Sequence, residues 1–169
     1  MKKLLFMLLV LAMPLAAGAQ VKFGYFSFSE IFDTMPGRAL ADRNLADLRQ
    51  KYDAEMKRAE NEFNAKYEEF LDGQRDFVPT ILHKRQAELQ EMMEKNTAFR
   101  KEAERLLRQA QEDAYAPLRR KINEAAAKVG RARGYAFILN TDGDACPYVD
   151  ATMGEDAAIF VKELLGMNK

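Results

Sequence analysis

The sequence predicts an α+β fold that is mainly helical by residue count, with a small β-rich oligomerisation body and one long antiparallel helical-hairpin (coiled-coil) tentacle. Three observations predict it. Apolar β-rich segments lie near both ends, two narrow apolar stripes at helical spacing cross a highly charged middle region, and one helix-breaking segment separates the stripes. We therefore expect a body at residues 20–37 and 115–169 and a hairpin at residues 38–114.

The first 19 residues have the pattern of a secretory signal peptide. Lys2 and Lys3 supply a positive start, an apolar run follows at residues 4–15, and Ala17-Gly18-Ala19 offers small side chains to a signal peptidase. The apolar run is shorter than the ~20 residues that span a bilayer, so a membrane anchor is the less favoured alternative. We predict an exported chain, cleaved after Ala19.

The composition of the mature chain restricts its partners and its means of stabilisation. Two of the 26 basic residues lie in the leader, so 24 basic and 26 acidic side chains remain, for a net charge of −2. This balance favours neither nucleic acid nor an anionic membrane as a partner. Cys146 is the only cysteine, so no intrachain disulfide can form, and we interpret it as a small apolar strand residue.

The start of the mature chain predicts one strand and one short helix. Val21, Phe23 and Tyr25 alternate along residues 21–26 and fall on one face of a strand. Ser29 is the predicted cap of a helix over residues 30–35, and Pro36-Gly37 is expected to end it.

Two apolar stripes predict the hairpin. The outgoing stripe advances by three or four residues through Leu45, Leu48, Tyr52, Met56, Ala59, Phe63, Tyr67 and Phe70. The returning stripe runs through Leu82, Gln86, Leu89, Met93, Asn96, Phe99, Ala103, Leu106 and Ala110. Gly73 and Pro79 separate the stripes, which places the tip within residues 72–80. Pro117 predicts a bend or break in the return helix.

The end of the chain predicts the rest of the body. The return helix finishes with a stripe at Leu118, Ile122, Ala125, Ala126 and Val129. A strand at residues 135–139, a hairpin turn at 140–144, a strand at 146–149 and a helix from Glu155 follow. We expect the first strand to join the sheet of the last two. Because about 70 residues rarely supply an ample core, oligomerisation through the sheet is the natural remedy.

No catalytic, metal or cofactor constellation is recognisable in the sequence. His83 is the only histidine, so a typical zinc site cannot be assembled with a single cysteine. Asn140, Asp142 and Asp144 superficially resemble a calcium loop, but the glycine is misplaced and Ala151 occupies the final ligand position. We predict a protein that is not an enzyme and uses no cofactor.

The order of these segments resembles that of the Skp/OmpH family. The residues that carry the resemblance are Val21-Lys22-Phe23-Gly24-Tyr25, Ile31-Phe32-Asp33-Thr34-Met35-Pro36, Ala116-Pro117-Leu118, the segment from Gly134 to Asn140, and Tyr148-Val149-Asp150. The resemblance covers essentially the whole mature chain. It implies a periplasmic homotrimer whose three tentacles enclose a cavity, and which holds unfolded outer-membrane β-barrel proteins without ATP.

The distribution of apolar and basic side chains suggests which residues could do this work. Candidate client-binding residues are Phe63, Tyr67, Phe70, Phe77, Met92, Met93 and Phe99 on the hairpin, with the basic Arg119, Arg120 and Lys121. Candidate oligomer-core residues are Val21, Phe23, Tyr25, Phe137, Ile138, Leu139 and Tyr148. The aromatic and Met residues also fit a hairpin seam, and the basic residues also fit an ordinary solvated helix face.

Charge marks one departure from the family. Its best-known members are strongly basic, which suits acidic clients and weak contact with a membrane surface, whereas this mature chain sums to −2. The main competing hypothesis is an exported structural or adaptor protein whose hairpin docks to one defined envelope partner. An exported enzyme is a third and poorer alternative.

Overall fold

The computed structural model describes residues 21–143 and 146–167, and it confirms the mainly helical α+β class. The predicted signal peptide at residues 1–19 and Asp144 of the predicted turn lie outside the described residues. The elements, in chain order, are β1 (Phe23–Phe26), α1 (Phe28–Thr34), α2 (Pro36–Gly73), α3 (Pro79–Arg133), β2 (Phe137–Asn140), β3 (Gly154–Asp156) and α4 (Ala158–Leu164). The long helical hairpin of the prediction is formed by α2 and α3.

The described residues form two compact units. One contains residues 21–34 and the described part of 120–169, and the other contains residues 35–119. We call them the sheet unit and the hairpin unit.

The sheet unit contains a three-stranded parallel sheet in the order β2-β1-β3. Phe23 lies opposite Phe137 on one side and Gly154 on the other. The expectation that the first strand pairs with the strand predicted at residues 135–139 is therefore confirmed, whereas its second partner is a segment that was not predicted as a strand. β1 occupies the centre, with a β-strand from the end of the chain on each side.

The predicted hairpin of two late strands is wrong. Residues 146–150 form no strand, and the last strand is β3, which pairs in parallel with β1 rather than with β2. Gly154 explains the position of β3: a Cβ there would lie 2.5 Å from Phe23 Cε2 and 3.1 Å from Tyr25 Cδ1. Only a residue without a side chain can pair beside these two rings. Consequently the final helix begins at Ala158, not at Glu155.

The cap of α1 also differs from the prediction. Ser27, not Ser29, is the capping residue, because the helix already begins at Phe28 and the Ser27 hydroxyl accepts a hydrogen bond from the Glu30 amide at 3.1 Å. The Ser29 amide instead donates to Asp142 Oδ2 at 2.7 Å. Asp142 thus ties the segment after β2 to the start of α1.

The two predicted helix breakers, Pro36 and Pro117, lie inside helices. Pro36 opens α2, where a missing amide hydrogen costs nothing, so Pro36-Gly37 starts the long helix rather than ending the short one. Helix α3 continues through Pro117, which contradicts a break there. An internal proline costs roughly 3 kcal/mol. Its neighbours Tyr115 and Leu118 are both buried, and burial of large apolar side chains contributes free energy of the same order.

The sheet unit has a small apolar core. The predicted stripe on the last part of α3 is confirmed by the burial of Ile122, Ala125 and Val129. Full burial of a large aliphatic side chain contributes roughly 1.5–3 kcal/mol. The other buried apolar residues of this unit are Phe26, Ile31, Phe32, Ala157 and Val161.

Candidate functional site

The seam of the hairpin unit is only partly closed. On α2 the predicted stripe is half-buried at every position except Tyr67, which is exposed. No residue between 42 and 102 is buried, and the structure describes all of them. Two helices alone cannot surround their seam side chains, so apolar surface remains accessible along the hairpin.

The seam on α3 follows a more regular pattern than the predicted stripe. Gln86 and Met93 are exposed, whereas Arg85 and Met92 are half-buried. The observed seam alternates steps of three and four residues through Leu82, Arg85, Leu89, Met92, Asn96, Phe99, Ala103, Leu106 and Ala110. Strict counting back from Phe99 would have found Arg85. A charged residue was not expected in an apolar stripe. The aliphatic part of the Arg85 side chain can nevertheless lie in the seam while its guanidinium remains exposed to solvent.

A cleft of about 340 Å³ lies beside the tip of the hairpin. We call it the tip cleft; it is lined by Lys66, Glu69, Phe70, Phe77, Arg85, Glu88, Leu89, Glu91, Met92 and Lys95. The rings of Phe70 and Phe77 lie 6.3 Å apart at 43°. Gly73 allows this approach, since a Cβ there would lie 2.6 Å from Phe77 Cζ. Three of the predicted client-binding residues therefore meet in one place.

A second cleft of about 210 Å³ lies further from the tip in sequence. We call it the middle cleft; it is lined by Met56, Ala59, Glu60, Phe63, Met93, Asn96, Thr97, Phe99 and Arg100. Asn96 Nδ2 donates a 3.3 Å hydrogen bond across the seam to the carbonyl of Ala59. Three more predicted residues meet here. Tyr67 lines neither cleft and stacks on Phe63 with ring centres 6.0 Å apart.

The structure adds apolar residues that the sequence analysis missed. Leu71, Val78 and Ile81 flank the helix-breaking segment and are 42%, 56% and 45% exposed. They lie off the stripes, and for that reason periodicity did not select them. A search for large apolar residues that lie near the helix-breaking segment and outside both stripes would have found them.

The three predicted basic residues fall in different surroundings. Arg119, in the hairpin unit, pairs with Glu112 at 2.9 Å, and its guanidinium lies 5.9 Å from the Tyr115 ring centre. Arg120 and Lys121, in the sheet unit, are exposed and form no ion pair within the described parts of the chain. Their role in client binding stays a prediction.

The candidate oligomer-core residues leave apolar surface on the sheet unit. Phe23 stacks on Phe137 with ring centres 5.4 Å apart, yet Phe137 is 48% exposed. Val21 and Tyr148 are more exposed still. Tyr25, Ile138 and Leu139 are half-buried. Within the described residues, the outer edges of β2 and β3 have no further strand beside them.

A polar network closes the other side of this sheet. Tyr135 donates a 2.6 Å hydrogen bond to Glu155 Oε2, Arg133 pairs with Glu155 Oε1, and Lys22 lies 3.4 Å from Oε2. The Tyr135 and Arg133 hydrogen bonds lower the pKa of Glu155 to about 2. The network links the start of β1, the end of α3 and β3.

Metal-site and membrane-span geometries are both absent from residues 21–143 and 146–167. No group of three or more His, Cys, Asp or Glu residues there is placed to hold a metal ion. Nor is any helix in this part of the chain long and apolar enough to cross a membrane.

Comparison with known proteins identifies a family. No curated protein matches the chain. A family model described as "Outer membrane protein (OmpH-like)" matches residues 22–165, which is most of the chain. This is a chaperone family rather than a family of enzymes, and it supports a chaperone-type role at the periplasm and outer membrane in general. The match confirms the resemblance seen in the sequence, and the chain belongs to the OmpH-like family.

Proposed function

We propose that this protein is an ATP-independent periplasmic holdase that binds unfolded outer-membrane proteins and prevents their aggregation. In this proposal it is not an enzyme, and its signal peptide is removed after Ala19. It acts as a homotrimer in which the sheet units form the body and the hairpins enclose a cavity.

One observation carries the proposal: no residue from 42 to 102 is buried, although this stretch contains many large apolar side chains. A hairpin selected only for stability would gain by covering them. Partial exposure is instead suited to a surface that must contact many different apolar segments.

The contacts would be individually weak. Burial contributes about 25 cal/mol per Å² of apolar surface, so covering the exposed half of one large side chain contributes roughly 1 kcal/mol. When several such contacts form inside one sheltered volume, the high effective concentration of each binding segment raises the overall affinity. A single contact alone would dissociate quickly. Clients would therefore be held firmly as a whole and still exchange locally.

Oligomerisation would complete the body. Among the residues that the structure describes, the sheet has two uncovered edges and half-exposed apolar residues on both β1 and β2. Such edges pair readily with further strands, and the exposed Phe137 and Tyr148 would gain burial in an assembly. The number of three subunits comes from the family resemblance.

The test is an aggregation assay without nucleotide. An outer-membrane β-barrel protein is diluted from urea in the presence of the mature chain, and light scattering is followed. We expect suppression that saturates at a fixed ratio of trimer to client, with the trimer mass measured by light scattering coupled to size exclusion. An inert soluble protein at equal mass is the control. Unchanged aggregation, together with capture of one folded envelope protein at fixed stoichiometry, would show that the adaptor hypothesis is right instead.

A further inference from the structure

The tip cleft is lined in part by apolar side chains. Phe70, Phe77, Leu89 and Met92 form this apolar lining, so two aromatic rings and one thioether face the same space of about 340 Å³. This volume lies at the lower end of the range of small-ligand pockets. It therefore suits one bulky side chain better than a folded surface.

The charged rim of the tip cleft is neutralised internally. Lys66 pairs with Glu69 at 3.0 Å, and Lys95 pairs with Glu91 at 2.6 Å. The hydrogen bonds from these lysines lower the pKa of both carboxyls, so the pairs persist in mildly acidic conditions.

Arg85 completes the neutral rim. Its guanidinium lies 3.1 Å from Glu88 and 3.8 Å from Glu69. Every charged residue that lines the cleft thus has a partner of opposite sign within the rim. A charged ligand would have to compete with one of these pairs, whereas an uncharged one would not. The lining therefore has no net charge to attract a charged occupant, since three Lys or Arg side chains face three Glu side chains.

The apolar lining distinguishes between uncharged occupants. An aliphatic side chain would gain only from burial. An aromatic ring would gain in addition from edge or face contacts with Phe70 and Phe77 and from the sulfur of Met92. The cationic groups of the rim can also lie over the face of a bound ring.

We propose that the tip cleft receives a single aromatic side chain from an extended segment of the client. This inference rests on the proposed function and deepens it, because it names the type of client side chain that is bound and the cleft that binds it. It predicts that aromatic residues bind the hairpin about three- to ten-fold more tightly than saturated rings of similar size.

The test uses fluorescently labelled peptides of equal length and zero net charge. They carry phenylalanine, cyclohexylalanine or serine at the same positions, and their affinity for the full mature chain is measured by anisotropy. We expect the order phenylalanine, cyclohexylalanine, serine. Phe70→Leu and Met92→Leu should bring the phenylalanine and cyclohexylalanine affinities to within about two-fold of each other, since they remove a ring or a sulfur at little cost in volume.

Phe63→Leu is the matched control, because it makes the same change in the middle cleft, and the aromatic preference should survive it. Circular dichroism checks that each variant keeps its helix content. Equal affinity of the unaltered chain for phenylalanine and cyclohexylalanine would overturn the inference. Loss of the preference in Phe63→Leu but not in Phe70→Leu would overturn it as well. The aggregation assay is scored separately, so a chain that suppresses aggregation without aromatic preference retains the holdase function.

Discussion

Tyr115 and Asp42 join the two long helices of the hairpin unit through a 2.6 Å hydrogen bond from the phenol to Asp42 Oδ1. Arg38 Nε donates to the other carboxylate oxygen at 2.8 Å, and its guanidinium lies 4.2 Å over the Tyr115 ring. Tyr115 is buried, unlike the seam between residues 42 and 102. The hairpin is therefore fastened most firmly at the end where α2 begins.

Substitution of Tyr115 should loosen this end in two separable steps. Tyr115→Phe removes the hydrogen bond and should lower the melting temperature modestly, because Asp42 keeps Arg38 as a partner. Tyr115→Ala also removes the buried ring, and cavity formation should cost about 3 kcal/mol or more. Urea denaturation of both variants measures the steps. Equal stability of the two variants would show that the ring contributes nothing.

Stability should fall in acid through Glu155. Its pKa is lowered from 4.5 to about 2, so its contribution is present above pH 4.5 and is lost as pH falls through about 2. Glu155→Gln should reduce stability at neutral pH and flatten the acid loss. Thermal melts from about pH 5 to about pH 2 measure it. Glu124 is an exposed carboxylate with no ion pair among the described residues of α3, so Glu124→Gln should leave the dependence of stability on pH unchanged.

Replacement of Asn96 should stabilise the hairpin. A polar residue in a helical seam costs stability, and Asn96→Leu exchanges one long 3.3 Å hydrogen bond for apolar burial. We expect a gain of about 1 kcal/mol in urea denaturation. Thr97→Leu changes the adjacent exposed position and should give no comparable gain. A destabilised Asn96→Leu would mean that the bond to Ala59 contributes more than packing can replace.

Gly154→Ala should detach β3 from the sheet. The new Cβ would meet Phe23 at 2.5 Å, so either the ring or the strand must move. Gly134→Ala is the control: its φ is +69° and nothing lies within 4 Å, so it carries only backbone strain of about 1–2 kcal/mol. Amide hydrogen exchange should show faster exchange at β3 in the first variant only. Adding Phe23→Leu should restore much of the protection.

Disruption of the sheet face should change the assembly. Phe137→Asp places a charge on a half-exposed ring position beside Phe23, and burying an unpaired charge is costly. We expect the mass in solution to fall from that of the proposed trimer toward that of the monomer. Leu40→Asp, an equally drastic change at an exposed position of α2, should leave the mass unchanged. An unaltered mass for Phe137→Asp would remove this face from the interface.

Helical periodicity made the hairpin predictable, whereas the strand pairing depended on contacts distant in sequence. The stripes at Leu45 to Phe63 and at Phe99 to Ala110 emerge from local spacing alone. The parallel pairing of β3 with β1 could not be predicted locally, because it depends on how Gly154 fits against two distant rings. Arg85 was missed because composition was given more weight than strict periodicity.

The candidate site was predictable in its residues but not in its grouping. The clustering of aromatic residues near the tip selected Phe63, Phe70 and Phe77 as accessible apolar residues, and the structure leaves them half-buried. Their division between two clefts depends on side-chain direction and on the neighbouring ion pairs. The spacing of apolar residues in the sequence predicts neither.

The central place of β1 in the parallel sheet has a consequence for biogenesis. During synthesis Phe23 emerges early, but both of its strand partners, at Phe137 and Gly154, emerge only after the whole hairpin. Pairing over on the order of a hundred residues is entropically slow, whereas helices form from local contacts. We therefore expect the hairpin to be the first part of each new molecule that folds. Until β2 emerges, the newborn chain keeps β1 as an unpaired apolar strand of the kind that a holdase protects.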